Sequence, residues 1–310
     1  MMKLNFSYNT VFFIQSLPQN EPATGEKLHK LLNQTNRVRN ECIPTYFFDV
    51  ENKRSFLDIL SEISKKIKRF YTSENRIVKP IIQFDCHGNN SCFSLADGST
   101  IPFEELAGFF GEINLESGMN LTIIGASCFG SYVSSCILEC IECKGKNSKT
   151  RAPFNMSLGF DKTVQPCNLQ QMLAEFYLIT REENMTLPQI IGQINSMPEA
   201  KESQLKPVFS KDIFYSAINY YKKTLCTGRE LEERIDRMIR EIYRNNGGRQ
   251  IDEVSIRKEL RKKIEDPKTI VEWHNENAPY FFGIDKFPKN RDQLENPLQI
   301  IKDPLFLSKK

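Results

Sequence analysis

The sequence predicts an α/β fold, a mostly parallel central sheet flanked by helices, followed by a C-terminal helical extension. Three observations lead there. Short apolar runs recur along the first two-thirds of the chain, each bounded by turn residues. Between them lie segments whose apolar residues fall at three- and four-residue spacing, the stripe of a helix that covers a core. The runs are continuously apolar instead of alternating, which marks strands buried on both faces, as in a parallel sheet covered by helices.

The elements follow in order. Residues 11–17 (VFFIQSL) form an apolar run closed by Pro18, a first strand. A signal peptide there would need a longer apolar core and a small-residue cleavage site, and Asn5, Ser7, Asn9 and Thr10 interrupt the stretch. Leu28, Leu31 and Leu32 then take helical spacing, and residues 44–50 (PTYFFDV) are the aromatic and β-branched second strand. Phe56, Leu57, Leu60, Ile63 and Ile67 make a long helical stripe. Residues 80–85 (PIIQFD) are the third strand. Residues 92–101, with Asp97-Gly98 at the turn, read as a small hairpin. Pro102 opens a helix carrying Leu106, Phe109, Phe110 and Ile113. Residues 121–125 (LTIIG) and 154–159 (FNMSLG) are the fourth and fifth strands, and amphipathic helices follow at 169–177 and 187–194. Composition shifts near residue 220, which suggests a domain at 1–218 and a helical extension at 219–310. In the extension, Leu231, Ile235, Met238, Ile239 and Ile242 stripe a helix otherwise crowded with Glu and Arg. Gly247-Gly248 breaks it, and a second charged helix runs over 251–264. The tail from Phe287, with Pro288, Pro297 and Pro304, is expected to be extended.

Composition narrows the function. With 310 residues, Lys+Arg 42 against Asp+Glu 39 and a net charge of +3, the chain has no basic excess for a nucleic acid. No apolar run reaches the roughly 18 residues of a membrane span. Nine cysteines are an odd count clustered centrally, which reads as reduced thiols in a cytoplasmic chain and makes each a candidate nucleophile or ligand.

Functional groups in an open parallel sheet collect at the carboxyl ends of the strands. The third strand leads into Asp85-Cys86-His87-Gly88 and the fourth into Ala126-Ser127-Cys128-Phe129-Gly130. If the two are parallel neighbours, His87 and Cys128 leave the sheet at one edge, a base beside a thiol. Glycines at 88, 125 and 130 let the backbone turn tightly and present amide hydrogens to an oxyanion. Of the three histidines, His29 lies on an early helix and His274 in the extension. Cys86 alternates to the opposite side of its strand and reads as a packed thiol. Cys136, Cys140 and Cys143 have the CxxxCxxC spacing of an iron-sulfur loop, but residues 132–141 have helical apolar spacing, so buried thiols are expected and no metal.

The third-strand His87-Gly88, the Leu95-Ala96-Asp97-Gly98 hairpin before a Pro-started helix, and Ala126-Ser127-Cys128-Phe129-Gly130 after the fourth strand together resemble the caspase-like cysteine peptidases of clan CD. They are closest to bacterial CHAT-type caspase homologues, with separase and metacaspases more distant. Residues 204–210 (QLKPVFS) resemble the last core strand of that fold, so the resemblance covers roughly residues 8 to 216. It implies a Cys-His dyad that hydrolyses peptide bonds in a protein substrate without a cofactor. Cys128 would be the nucleophile, His87 the general acid/base, and the amides of Gly88 and Cys128 the oxyanion hole. Asp85 is a candidate orienting or substrate-binding carboxylate beside a polar strand-end reading. Asp161 lies where the family's pocket wall forms and is the candidate for binding a basic residue, beside a plain turn reading. Ala126 stands where metacaspases carry an aspartate. The Lys- and Arg-bearing loop 144–151 is a candidate processing linker beside a solvated-turn reading. The CHAT likeness implies a regulated bacterial defence or cell-death protease whose C-terminal helices dock a regulatory protein. The other class is a catalytically silent caspase-fold scaffold.

Overall fold

A computed structural model describes residues 6–74, 77–137, 151–182, 185–247, 249 and 252–296. The chain forms two compact units, Met1–Ser210 and Lys211–Lys310. In the first, β1 (Thr10–Ser16), β2 (Thr45–Asp49), β3 (Pro80–Gly88), β6 (Thr122–Ala126), β7 (Met156–Phe160) and β8 (Leu205–Phe209) pair in the order β2-β1-β3-β6-β7-β8. Every link is parallel except β7–β8, which is antiparallel. The short strands β4 (Cys92–Ser94) and β5 (Thr100–Pro102) form the hairpin and extend from the end of β3. The fold is therefore mixed α/β with a mainly parallel central sheet, as the continuous apolar runs require.

Helices cover both faces of the sheet, and the pleat decides which residue meets which helix. One face carries Val11, Phe13, Ile81, Ile124, Ala126 and Leu158. These pack in one core with Leu28 and Leu32 of α1 (Thr24–Arg39), with Leu169, Leu173 and Phe176 of α4 (Pro166–Ile179), and with Leu187 and Ile190 of α5 (Leu187–Asn195). On the other face Phe84 stacks on Phe56 of α2 (Lys53–Glu74) at 5.3 Å and tilts against Phe110 of α3 (Phe103–Glu116) at 5.6 Å. Each of these fully buried phenylalanines contributes about 1.5–3 kcal/mol of apolar transfer, enough to fix which way the strand faces.

In the second unit, α6 (Ser210–Tyr220) leads into a π-helical segment, Tyr221–Leu225, and then α7 (Gly228–Asn245), α8 (Glu253–Glu265) and α9 (Pro267–Phe281). Leu231, Ile235 and Ile239 of α7 pack with Ile264 of α8 and with Cys226. The charged faces meet through Arg257, which contacts Glu232, Asp236 and Glu253. A separate aromatic cluster joins Phe214 to Phe281 at 4.7 Å and to Trp273 at 5.6 Å. Helices α6 and α9 escape the periodicity argument because they are short of aliphatic stripes and hold together through these rings.

Two expectations need correcting. The segment after Phe287 is not extended throughout, since Pro288–Gln293 form a 3-10 helix started by the fixed backbone of Pro288. Pro297 and Pro304 lie outside the described residues. The stretch after the Cys128 turn is also not one α-helix from its start, because Gly130–Ser135 is 3-10. Residues 138–150, including Cys140, Cys143 and nearly all of the 144–151 loop, lie outside the described residues. Cys136 is fully buried and its thiol donates to the carbonyl of Phe103 at 2.7 Å. Among the described residues no helix is long and apolar enough to cross a membrane.

Candidate active site at the carboxyl edge of the sheet

Strands β3 and β6 are parallel neighbours, with Asp85 opposite Ala126. Ile81, Gln83 and Asp85 alternate onto the α1/α4 face, as do Ile124 and Ala126, and His87 and Cys128 follow just beyond these positions, Cys128 in the turn after β6. Both line one small pocket of about 50 Å³, together with Glu21, Thr24, Ser127 and Val164. His87 is half-exposed at the end of β3, where it pairs with Ser94 of β4.

A tight turn presents Cys128. The Gly130 N–H donates to the Ser127 carbonyl at 3.2 Å, and Phe129 sits between them with φ 56°, in the left-handed region that disfavours side chains. The Phe129 N–H is held by the Lys162 carbonyl at 3.1 Å. Among the described residues the Cys128 amide hydrogen has no acceptor. The Cys128 sulfur lies 3.8 Å from the Val164 carbonyl. Gly88 comes so close to this turn that a β-carbon there would stand 2.7 Å from the Cys128 carbonyl oxygen and 2.9 Å from Ser127 Oγ. The glycine lets β3 and the Cys128 turn touch through backbone.

The carboxylates fall differently. Asp85 is fully buried below the pocket. Its oxygens accept from Gln83 Nε2 at 2.8 Å and from Thr24 Oγ1 at 3.1 Å, and Tyr177 Oη donates to Gln83 Oε1 at 2.7 Å. His87 Nε2 instead meets Glu21, at 2.8 and 3.0 Å from its two oxygens. The group that contacts the imidazole is thus Glu21, and Asp85 does not orient it. Asp161 is outside the pocket lining. It accepts from the Gln204 amide at 3.1 Å and lies 3.8 Å from Lys206 Nζ, so a β8 lysine already faces it. Cys86 is buried, also lines the pocket, and burial pushes its thiol well above the ordinary range.

Burial pushes the Asp85 carboxyl up to about 7 from its ordinary 3.8, against the lowering pull of Gln83 and Thr24. Between these values the folded chain holds a proton that the unfolded chain has released. The contribution to stability is full below the unfolded value and is lost as pH rises through about 7. Asp85→Asn keeps both hydrogen bonds, with its amide NH₂ donating to Thr24 and its oxygen accepting from Gln83. The variant is expected to be the more stable protein at about pH 8, by on the order of a few kcal/mol, with little difference near pH 4. Urea unfolding at the two pH values measures this.

Neither a family model nor a curated protein sequence matches the chain. Among solved structures it is similar to the Drosophila initiator caspase Dronc, at 12% identity and a TM-score of 0.43, over 67% of this chain and 82% of that one.

Proposed function

We propose that the chain is a cysteine endopeptidase that hydrolyses a protein substrate through Cys128 and His87. The observation that carries this reading is their convergence on one pocket at the carboxyl ends of two adjacent parallel strands. In the proposed reaction the Cys128 thiol passes its proton to His87, and the sulfur adds to the scissile carbonyl carbon. The carbonyl oxygen takes the negative charge beside the amides of Gly88 and Cys128. The carbon–nitrogen bond breaks as His87 returns the proton to the leaving amine, leaving a thioester on Cys128. Water, giving a proton to His87, then releases the acid and restores the thiol. The reaction needs no cofactor.

A basic residue before the scissile bond is part of the proposal and rests on the resemblance to basic-specific relatives. Asp161 supports it less than the sequence suggested, because Lys206 already faces that carboxylate. The same resemblance extends the proposal to a cytoplasmic, regulated bacterial protease of defence or cell death, with the C-terminal helices docking a regulatory protein. One observation favours the silent scaffold: Cys128 sulfur is recorded against Val164 and His87 against Glu21, with no bond between the pair among the described residues. Peptidyl acyloxymethyl ketones ending in Arg, Lys or Asp separate the readings. The endopeptidase reading expects a mass increase on Cys128 with the Arg and Lys reagents first. Labelling led by the Asp reagent overturns the basic preference. No labelling of Cys128 by any of them favours the scaffold.

A further inference from the structure

We propose that Glu21 is the positioning residue of the dyad, fixing the tautomer and direction of the His87 imidazole; this rests on the endopeptidase reading for its catalytic meaning. An ionised carboxylate only accepts hydrogen bonds, so the ring nitrogen that meets Glu21 at 2.8 Å must carry the hydrogen. That nitrogen is Nε2, which leaves the lone pair on Nδ1 to receive the thiol proton. The described residues give Nδ1 no partner. Hydrogen-bonding one ring nitrogen to a carboxylate is the general way a protein sets the other for base chemistry.

Glu21 is itself held in place. It sits in the loop between β1 and α1 within Pro18-Gln19-Asn20-Glu21-Pro22. Its N–H donates to the Pro18 carbonyl at 2.9 Å, closing a turn, and Pro22 restricts its backbone to extended conformations. The Thr24 N–H then donates to the Pro22 carbonyl at 2.9 Å, joining the loop to the start of α1. The side chain is one-third exposed and the imidazole about half, so the pair adds little to stability. Its effect is on geometry.

The test uses the full chain with ¹⁵N-labelled histidine, wild type beside E21A, E21Q and E21D. The three imidazoles are few enough to assign, with H87Q marking the signal of interest. At a pH where the ring is neutral, His87 is expected to carry its hydrogen on Nε2 in wild type and E21D, and to become a mixture in E21A. In hydrolysis, E21A is expected to lose about 10- to 100-fold in kcat with KM little changed, a share of the usual acid–base contribution. E21D is expected to recover part of that loss. The loss should be the same whichever residue precedes the scissile bond. An unchanged tautomer in E21A overturns the proposal. So does a loss confined to Arg and Lys peptides and expressed in KM, which would make Glu21 a wall for a basic side chain. If wild type cleaves nothing and Cys128 takes no label, the endopeptidase reading falls, while the tautomer still decides whether Glu21 sets His87.

Discussion

Replacing Cys128 by alanine is expected to lower peptide hydrolysis by about 10⁴-fold or more, the scale on which nucleophile removal acts in dyads and triads. The expectation is specific to this thiol. Cys128 alone among the described cysteines stands at the tip of a tight turn after a central strand, in a pocket it shares with His87. Cys86 lines the same pocket, but burial pushes its thiol up and away from the thiolate, so Cys86→Ser should leave most activity. His87→Ala should cost nearly as much as Cys128→Ala, and the double variant little more, because the two act as one unit. Single-turnover assays with a fluorogenic peptide measure all four. Activity in Cys128→Ala within tenfold of wild type would remove the nucleophile assignment.

The second large effect is structural. Gly159→Ala is expected to destabilise the α/β unit by more than the ~1–3 kcal/mol usual for overpacking, and to abolish any activity with it. A β-carbon at Gly159 would fall inside the backbone of Gly130 and Ser131, which cannot yield as a flexible side chain does. Gly125 is in the same stack, with its β-carbon position 2.6 Å from the Gly130 carbonyl oxygen. Three glycines from β6, the Cys128 turn and β7 therefore meet backbone to backbone. Gly108→Ala is the control, since on α3 an added β-carbon meets nothing within 4 Å. Thermal unfolding of both variants checks the contrast, and equal melting temperatures for the two would show that the close approach relaxes without cost.

What was legible in the sequence follows from how each feature is encoded. The sheet is written in continuous apolar runs such as Val11–Ile14 and Ile81–Ile82, and these are fully buried strands. The strand-end rule reached His87 and Cys128 because both follow such runs within a few residues. Glu21 was not legible: it sits in a polar loop 66 residues from His87, and only the parallel pairing of β1 with β3 brings that loop to the strand end. The surroundings of Asp161 were hidden for a similar reason. Its environment is set by β8, whose antiparallel pairing puts Lys206 opposite Gly159, beside the aspartate. Gly159 itself reads as an ordinary strand glycine, because crowding between backbones leaves no local signature. Helix α9 lacks an aliphatic stripe and was missed, its packing resting on Phe281 and His274.

The contact of Gly159 with the turn that carries Cys128 also orders events in time. No two neighbouring strands of the main sheet are joined by a hairpin, and even the antiparallel β7–β8 link spans the residues between Phe160 and Leu205. Sheets built from such distant, mostly parallel pairings form slowly, because the loop-closure entropy must be met before the contacts reward it. The Cys128 turn has no backing until β7 is synthesised, and β7 has no outer partner until Phe209 has been made. The turn that carries Cys128 therefore takes its final backing only from residues made well downstream of it.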